Sequence, residues 1–402
     1  MRISTPMLND AALNGILQDQ SALSATQTKL SSGQNINSPA DDPVGAVQLL
    51  QLNNAGTQYQ QYLSNGQSAN TNLSLEQNAL SSTTTTLQSI QNLVVQANSG
   101  ANNTTDLQAI ATQIQQLEQQ LIGTANSTNA QGEYLFAGYS VNTQPFIRGS
   151  SGVVSYVGDH GVNSVPLDGG TSVQTGDAGS SVFMNIPTGN GTFTTAASTA
   201  NTGTGVVDAG SVTDASAWTP DQYTIAFSSP TQYTVTDTTT GDVVVPNGTY
   251  DASGGGNIDF KGIEVGVSGT PAAGDTFTVA PSSTASIFST LDSLVSSLNG
   301  AGSSAAARAQ LSSALAGSQQ QLDQAMNRVS TVTTNVGSRI SLIGSVKASV
   351  TSQSTAIATQ ISNLDSLNYA AATSQYSQQY LALQAAEQSF AQLGQLSLFK
   401  YL

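Results

Sequence analysis

The chain has no cysteine, a single histidine and a single tryptophan, and only 8% of its 402 residues are charged. Each shortage excludes something. Without cysteine there is no disulfide frame and no thiolate chemistry, which suits a protein living outside the cytosol without depending on oxidation. Charged residues usually make up about a quarter of a domain; here Ser, Thr, Gln, Asn and Gly fill the difference. Nine Lys and Arg against 24 Asp and Glu give a net charge of -15, which argues against nucleic-acid or anionic-membrane binding, since both need basic patches. No apolar run reaches signal-peptide or membrane-spanning length, and the opening MRISTPMLND is polar, so an exported form would need an uncleaved route. The 38% hydrophobic content still argues for a folded chain, and its length allows two or three domains.

What is present is heptad order. Leu315, Leu322, Val329, Val336, Ile343, Val350, Ile357 and Leu364 place an apolar residue at every seventh position, with Leu311, Ala325, Val332 and Val346 as a second row. No proline interrupts them, and a helix from about Ser304 to Asp365 would be roughly 90 Å long at 1.5 Å per residue, the dimension of a rod. A second run, Leu52, Tyr59, Gly66, Leu73, Leu80, Leu87 and Val94, has the length to pair antiparallel with it. Gly66 is its weak point, costing about 1 kcal/mol against alanine unless another backbone approaches there. Asp42 caps this helix, with Pro43 at its first position. Thr105 and Gln108 have capping-box spacing for a third helix through Leu107, Ile110, Ile114, Leu117 and Leu121.

The two chain ends mirror each other. Thr5-Pro6 opens and Gly33 closes a first helix whose thin stripe is Leu13, Ile16, Leu23 and Leu30. Tyr369, Tyr376, Leu383 and Phe390 continue at sevens toward Leu396, Phe399 and the end. With so little to bury, each end helix is marginal alone, so its apolar residues are assigned to contacts between subunits. Between the helical regions, from Gly132 onward, the period falls to two. GEYLFAGYS and GVVSYVGD read as strands, FIRGSSGVV as a hairpin, and YTIAF, QYTVTDTTTGDVVV and IDFKGIEVGV as further strands between Gly-rich turns. Residues 141–282 hold eight of the eleven prolines and twelve of the 24 acids but only Arg148 and Lys261, an acidic all-β insertion.

The expected fold is therefore mainly α, an elongated antiparallel helical bundle made by the two ends of the chain with an all-β domain inserted at its tip. Its parts are terminal helices (1–35 with 366–402), a long-helix rod (36–140 with 284–365) and the β-rich outer domain (141–283). No catalytic, cofactor or metal constellation emerges. Asp41-Asp42 is read as a cap because Pro43 follows and no other ligand cluster is near. Asp159-His160 is a turn with a solvated histidine. Tyr59, Tyr62, Tyr369, Tyr376 and Tyr380 stand at helical spacing and are read as core or subunit contacts rather than a stacking site.

Four segments carry a resemblance: MRIST at the start, LSSGQNINSPADDPVGA at 30–46, NAQGEYLFAGYSVNTQPF at 129–146 and AEQSFAQLGQLSLFKYL at the end. In this order they resemble the flagellin superfamily over roughly residues 1–160 and 285–402, and MRIST with GEYLFAGYSVNTQPF favours its hook-associated branch over the filament subunit. The resemblance implies a structural, non-enzymatic adaptor joining hook to filament. It would be exported unfolded by a type III route with an export chaperone, assembled with itself in a ring, and flanked by another hook-associated protein and by flagellin. The readings beside it are a filament-forming flagellin and an adhesin whose β domain binds a surface. A flagellin-borne metalloprotease is excluded, because H-E-x-x-H needs two histidines.

Overall fold

The computed structural model describes residues 5–395, with side chains from 7 to 392. The chain forms two compact units, one of residues 1–65 and 345–402 and the other of residues 66–344. Six helices account for most of the chain: α1 (Thr5–Ser32), α2 (Pro43–Ala97), α3 (Thr104–Ala125), α4 (Ile287–Asn299), α5 (Ala305–Asp365) and α6 (Tyr369–Gln395). α2 and α5 each contribute to both units.

In the second unit the heptad residues are core. Leu73, Leu80, Leu87 and Val94 of α2 and Leu315, Leu322, Val329, Val336 and Ile343 of α5 are all buried. Each such side chain removed from water contributes about 1.5–3 kcal/mol. Gln91 donates to Asp323 at 2.6 Å, while Gly66 faces Ile343. Advancing along α2 thus retreats along α5, the antiparallel sense expected. At Gly66 it is side chains that come close, since a Cβ there would lie 3.5 Å from Leu167 and 3.7 Å from Ile343. The many Ser and Thr residues do not break these helices, because their hydroxyls bond back one turn, as Thr84 does to Leu80 and Thr333 to Val329.

α3 packs against α4 through Leu107, Ile110, Ile114 and Leu121 on one side and Ile287, Phe288, Leu291, Leu294 and Leu298 on the other. Its cap differs from the expected one. Asn103 accepts from the amides of Thr105 and Asp106 at 2.8 and 3.0 Å, and Asp106 returns the bond to the Asn103 amide. The box thus lies two residues upstream of Thr105 and Gln108, and it is built from an Asn–Asp pair instead of Thr–Gln.

The β region has two parts. Short hairpins come first: β1 (Phe146–Arg148) with β2 (Val154–Tyr156), and β3 (Ser164–Pro166) with β4 (Ser172–Gln174). A π-helical turn at Ser180–Met184 follows, and β5 (Ile186–Pro187) pairs with β15 (Thr284–Ala285). GEYLFAGYS is not a strand, contrary to its alternating pattern. Gly132 and Gly138 have φ of 82° and 70°, and Asp159 holds the Tyr139 amide at 2.8 Å, so the segment turns around Phe136 with a single bridge from Tyr134 to Thr128. The second part is a sandwich. β6 (Phe193–Ala197), β9 (Tyr223–Ser229), β10 (Gln232–Asp237), β11 (Val243–Thr249) and β14 (Thr276–Pro281) form one antiparallel sheet in the order β11-β10-β9-β14-β6. β7 (Val206–Val207), β8 (Ser211–Val212), β12 (Gly256–Phe260) and β13 (Ile263–Ser268) form the other. Alternate residues such as Tyr223, Ile225 and Phe227 meet Ile263, Val265 and Val267 in one core.

Candidate assembly surface

The first unit is held by a paired-loop device. Gly33 ends α1 with φ of 74°, and its carbonyl accepts from Leu367 at 3.2 Å. The Asn35 amide donates to the Asp365 carbonyl at 2.6 Å, and the Ile36 amide to the buried Asp365 carboxylate at 3.1 Å. The α1–α2 and α5–α6 connections are thereby stitched together. Asp41 and Asp42 divide the next task. Asp42 Oδ1 accepts from Val44 and Gly45 at 3.1 and 2.9 Å at the start of α2, whereas Asp41 Oδ2 accepts from Asn37 and Ser38 in the preceding turn. The Ser38 amide, foremost among these partners, holds the Asp41 carboxyl below its ordinary value.

α1 and α6 pack together, with Thr26 donating to Gln379 at 2.7 Å. Between them lies a cleft of about 350 Å³ floored by small side chains, among them Ala22, Ala25, Ala371 and Ala372. Of the proposed assembly residues, Ile16 is buried, Leu23, Leu30, Tyr376, Leu383 and Phe390 are half-buried, and Leu13 is 47% exposed; Leu396 and Phe399 lie outside the described residues. The rod-seam residues of this unit, Leu52, Tyr59, Ile357 and Leu364, are half-buried, and Val350 is buried. α2 and α5 still run antiparallel here, since Gly56 meets Ile357 and Gln60 donates to Ser354 at 3.3 Å.

More apolar surface is open than the sequence suggested. Met7, Leu8 and Leu17 on α1, Val44, Val47 and Leu50 on α2, and Tyr369, Tyr380 and Leu381 on α6 are exposed. The signal for the α2 group was present, because Val44, Val47 and Leu50 recur at three-residue spacing on a face that the Leu52–Tyr59 row does not use. Among the described residues no group of three or more His, Asp or Glu side chains could hold a metal, and no helix is long and apolar enough to cross a membrane. His160 is exposed, yet its Nδ1 lies 2.6 Å from Ser180 Oγ, and the adjacent Asp159 collects Tyr139, Ser140 and Gly161. The pair fastens a loop.

Helical N- and C-terminal regions with a central antiparallel β domain inserted between them define the structural class. Residues 3–141 match the bacterial flagellin N-terminal helical region, and residues 196–281 match a D2-like domain of flagellar hook-associated protein 1. Flagellar hook-associated protein 3 of Salmonella typhimurium is 32% identical over 186 residues, 46% of this chain and 58% of that protein; the match thus spans little more than half of that relative's length. Solved structures align more fully. Hook-associated protein 3 of Legionella pneumophila is 30% identical with a TM-score of 0.74, covering 79% of this chain and 98% of that one. FlgL of Xanthomonas campestris is 32% identical with a TM-score of 0.70, covering 77% and 98%. The chain belongs to the family of flagellar hook-associated protein 3.

Proposed function

We propose that this chain is a structural, non-enzymatic adaptor between the flagellar hook and its filament, located outside the cell. The observation that carries the reading is the exposed apolar surface of α1, α6 and the first turns of α2 in a unit that otherwise presents Ser, Thr, Gln and Asn. Apolar side chains left open on several helices of one unit are the kind of surface that marks a contact site. Its occupants are further copies of the chain in a ring, with another hook-associated protein on one side and flagellin on the other. Residues 1–35 with 366–402 serve assembly, 36–140 with 284–365 form the supporting helical body, and 141–283 face outward. Export by the flagellar type III route, with a chaperone holding the end segments, fits helices that bury little by themselves, because ordering costs about 1–2 kcal/mol per residue and neighbouring copies can return it.

Immunogold labelling tests the location: an adaptor gives one narrow band between hook and filament, whereas label along the whole filament would make it a filament subunit. Phe390→Ser should leave export and monomer stability nearly unchanged while filaments fail to attach and flagellin appears in the medium. Binding of glycans or host cells by the β domain would support the adhesin reading instead, which the family relationship does not favour.

A further inference from the structure

In the second unit Glu76 of α2 is 1% exposed, and neither of its carboxyl oxygens has a hydrogen-bond donor. Two charged groups face it from the elements packed over it, Asp177 from the segment after β4 and Arg339 from α5. Arg339 is already committed. Its two terminal nitrogens donate to the two Asp177 oxygens at 2.8 and 3.0 Å. Two carboxyl groups therefore share one guanidinium whose fork is filled by Asp177, and an ionised Glu76 would be a buried anion beside a second anion, offset only in small part by the nearby Asp177 amide. Protein interiors reject that arrangement by neutralising the group. A neutral Glu76 resolves it, because its O–H supplies the missing donor and Asp177, which lies within reach of a shared proton, still has lone pairs to accept it. The contrast with Glu118 is instructive, since that buried carboxylate is met directly by Arg148, which also reaches Asp292 at 3.3 Å.

We propose that the folded chain stores Glu76 as a carboxylic acid whose proton fastens α2 to residues 175–179, a proton-dependent latch inside the second unit. The segment it holds is also tied by Thr175, donating to the Asn163 carbonyl at 2.9 Å, by the Arg339–Asp177 pair, and by Gly179, donating to the Phe136 carbonyl at 2.8 Å. A cleft of about 180 Å³ lies beside it, lined in part by Asn72, Thr175 and Asp177. Burial first, and the Asp177 charge second, push the Glu76 carboxyl well above 4.5, with Arg339 opposing. Because the folded acid keeps its proton to higher pH than the unfolded one, the latch's contribution is fully present below about pH 4.5 and is lost as pH rises through the folded value.

The full chain contains five glutamates, 76, 118, 133, 264 and 387, so carboxyl-13C glutamate labelling gives five resonances, and Glu76→Gln assigns one by its disappearance. That resonance should titrate well above the usual value of about 4.3; an ordinary midpoint would overturn the proposal. Thermal unfolding from pH 5 to 9 should show the wild-type midpoint falling relative to that of Glu76→Gln, and parallel curves would overturn the latch. Should Glu76→Gln fail to fold, Gln substitutions at the other four glutamates assign the resonance by elimination, and Asp177→Asn frees Arg339 to pair with Glu76. The Glu76 midpoint should then drop, and a midpoint unchanged by Asp177→Asn would show that the coupling does not exist.

Discussion

The two units use the same bland helical sequence to opposite ends. In the second, the seventh-position residues from Leu73 to Val94 and from Leu315 to Ile343 are buried, and the β sandwich adds a core of its own. In the first, Ile16, Ile36, Val350 and Ala372 are the buried apolar side chains among the described residues, while Leu17, Val47, Leu381 and others stay open. Composition does not distinguish these regions; what differs is whether a second layer covers the stripe. The second unit holds α3, α4 and the β segments besides its parts of α2 and α5, whereas among the described residues of the first unit α1 and α6 pack chiefly on each other. A heptad row therefore reports a face that wants burial, whether the partner is the same chain or another one.

Charge placement at equivalent rows would break this comparison most sharply. Ile343, 2% exposed against α2, should tolerate an aspartate poorly: Ile343→Asp is expected to cost about 3–5 kcal/mol, read as a lowered unfolding midpoint of the purified chain. Leu17, 54% exposed, should accept the same change within about 0.5 kcal/mol, while assembly is lost. Equal losses of monomer stability would mean that α1 is buried in the isolated chain after all.

The loop device of the first unit offers the next largest effect. A Cβ on Gly45 would fall 2.4 Å from Asp42 Oδ2 and 2.7 Å from Ile36 Cδ1, so Gly45→Val must displace both the cap and the stitch. About 1–3 kcal/mol is expected from such overpacking. Amide exchange should locate the loss near residues 33–46 and 365–368, and loss spread over the β sandwich instead would show that the units do not melt separately.

How much of this was legible depended on periodicity. Long runs fixed by many residues, such as α2, α5 and the strands from Tyr223 to Ser268, could be read because each position repeats the same statement. The Asp42-Pro43 start of α2 was legible for a different reason, a cap followed by proline. Single-residue determinants were not. Gly138 and Asp159, 21 positions apart, turn a strand-like pattern into a loop, and the stitch at Ile36 needs Asp365 from the other end of the chain. The exposed α2 face was legible in spacing but overshadowed by the stronger heptad row beside it. The buried Glu76 gave no signal, since a lone glutamate in a polar helix reads as solvent-facing until Asp177 and Arg339 are brought to it by the fold.

A smaller effect separates cap from core within the second unit. Asn103→Ala removes the acceptor for two amides at the start of α3, and caps of this kind contribute about 0.5–2 kcal/mol. Exchange should quicken over the first turn of α3 and leave its Ile114–Leu121 core protected. Uniform loss along α3 would mean that α4 contributes less to holding it than their packing implies.

The smallest expected change is a gain, and it asks whether the sandwich and the terminal helices share stability. β12 and β13 are joined by Lys261-Gly262, with Phe260 paired to Ile263. Both loop residues have positive φ, 48° and 73°, which suits the two-residue turn whose twist matches the strands. Gly262 accepts this at no steric cost, and it cannot be replaced, because a Cβ there would meet the Asp214 carbonyl at 2.1 Å. Lys261 bears the strain of the left-handed region, roughly 1 kcal/mol for a residue with a Cβ. Asparagine tolerates that region far better, so Lys261→Asn should raise sandwich stability by about 0.5–1 kcal/mol without altering any core contact. The gain should appear as slower exchange in β9, β10, β12 and β13 and as nothing in α1 or α6. A matching gain in the terminal helices would contradict the separation of the two units, and no gain anywhere would mean that Lys261 already makes compensating contacts in its turn.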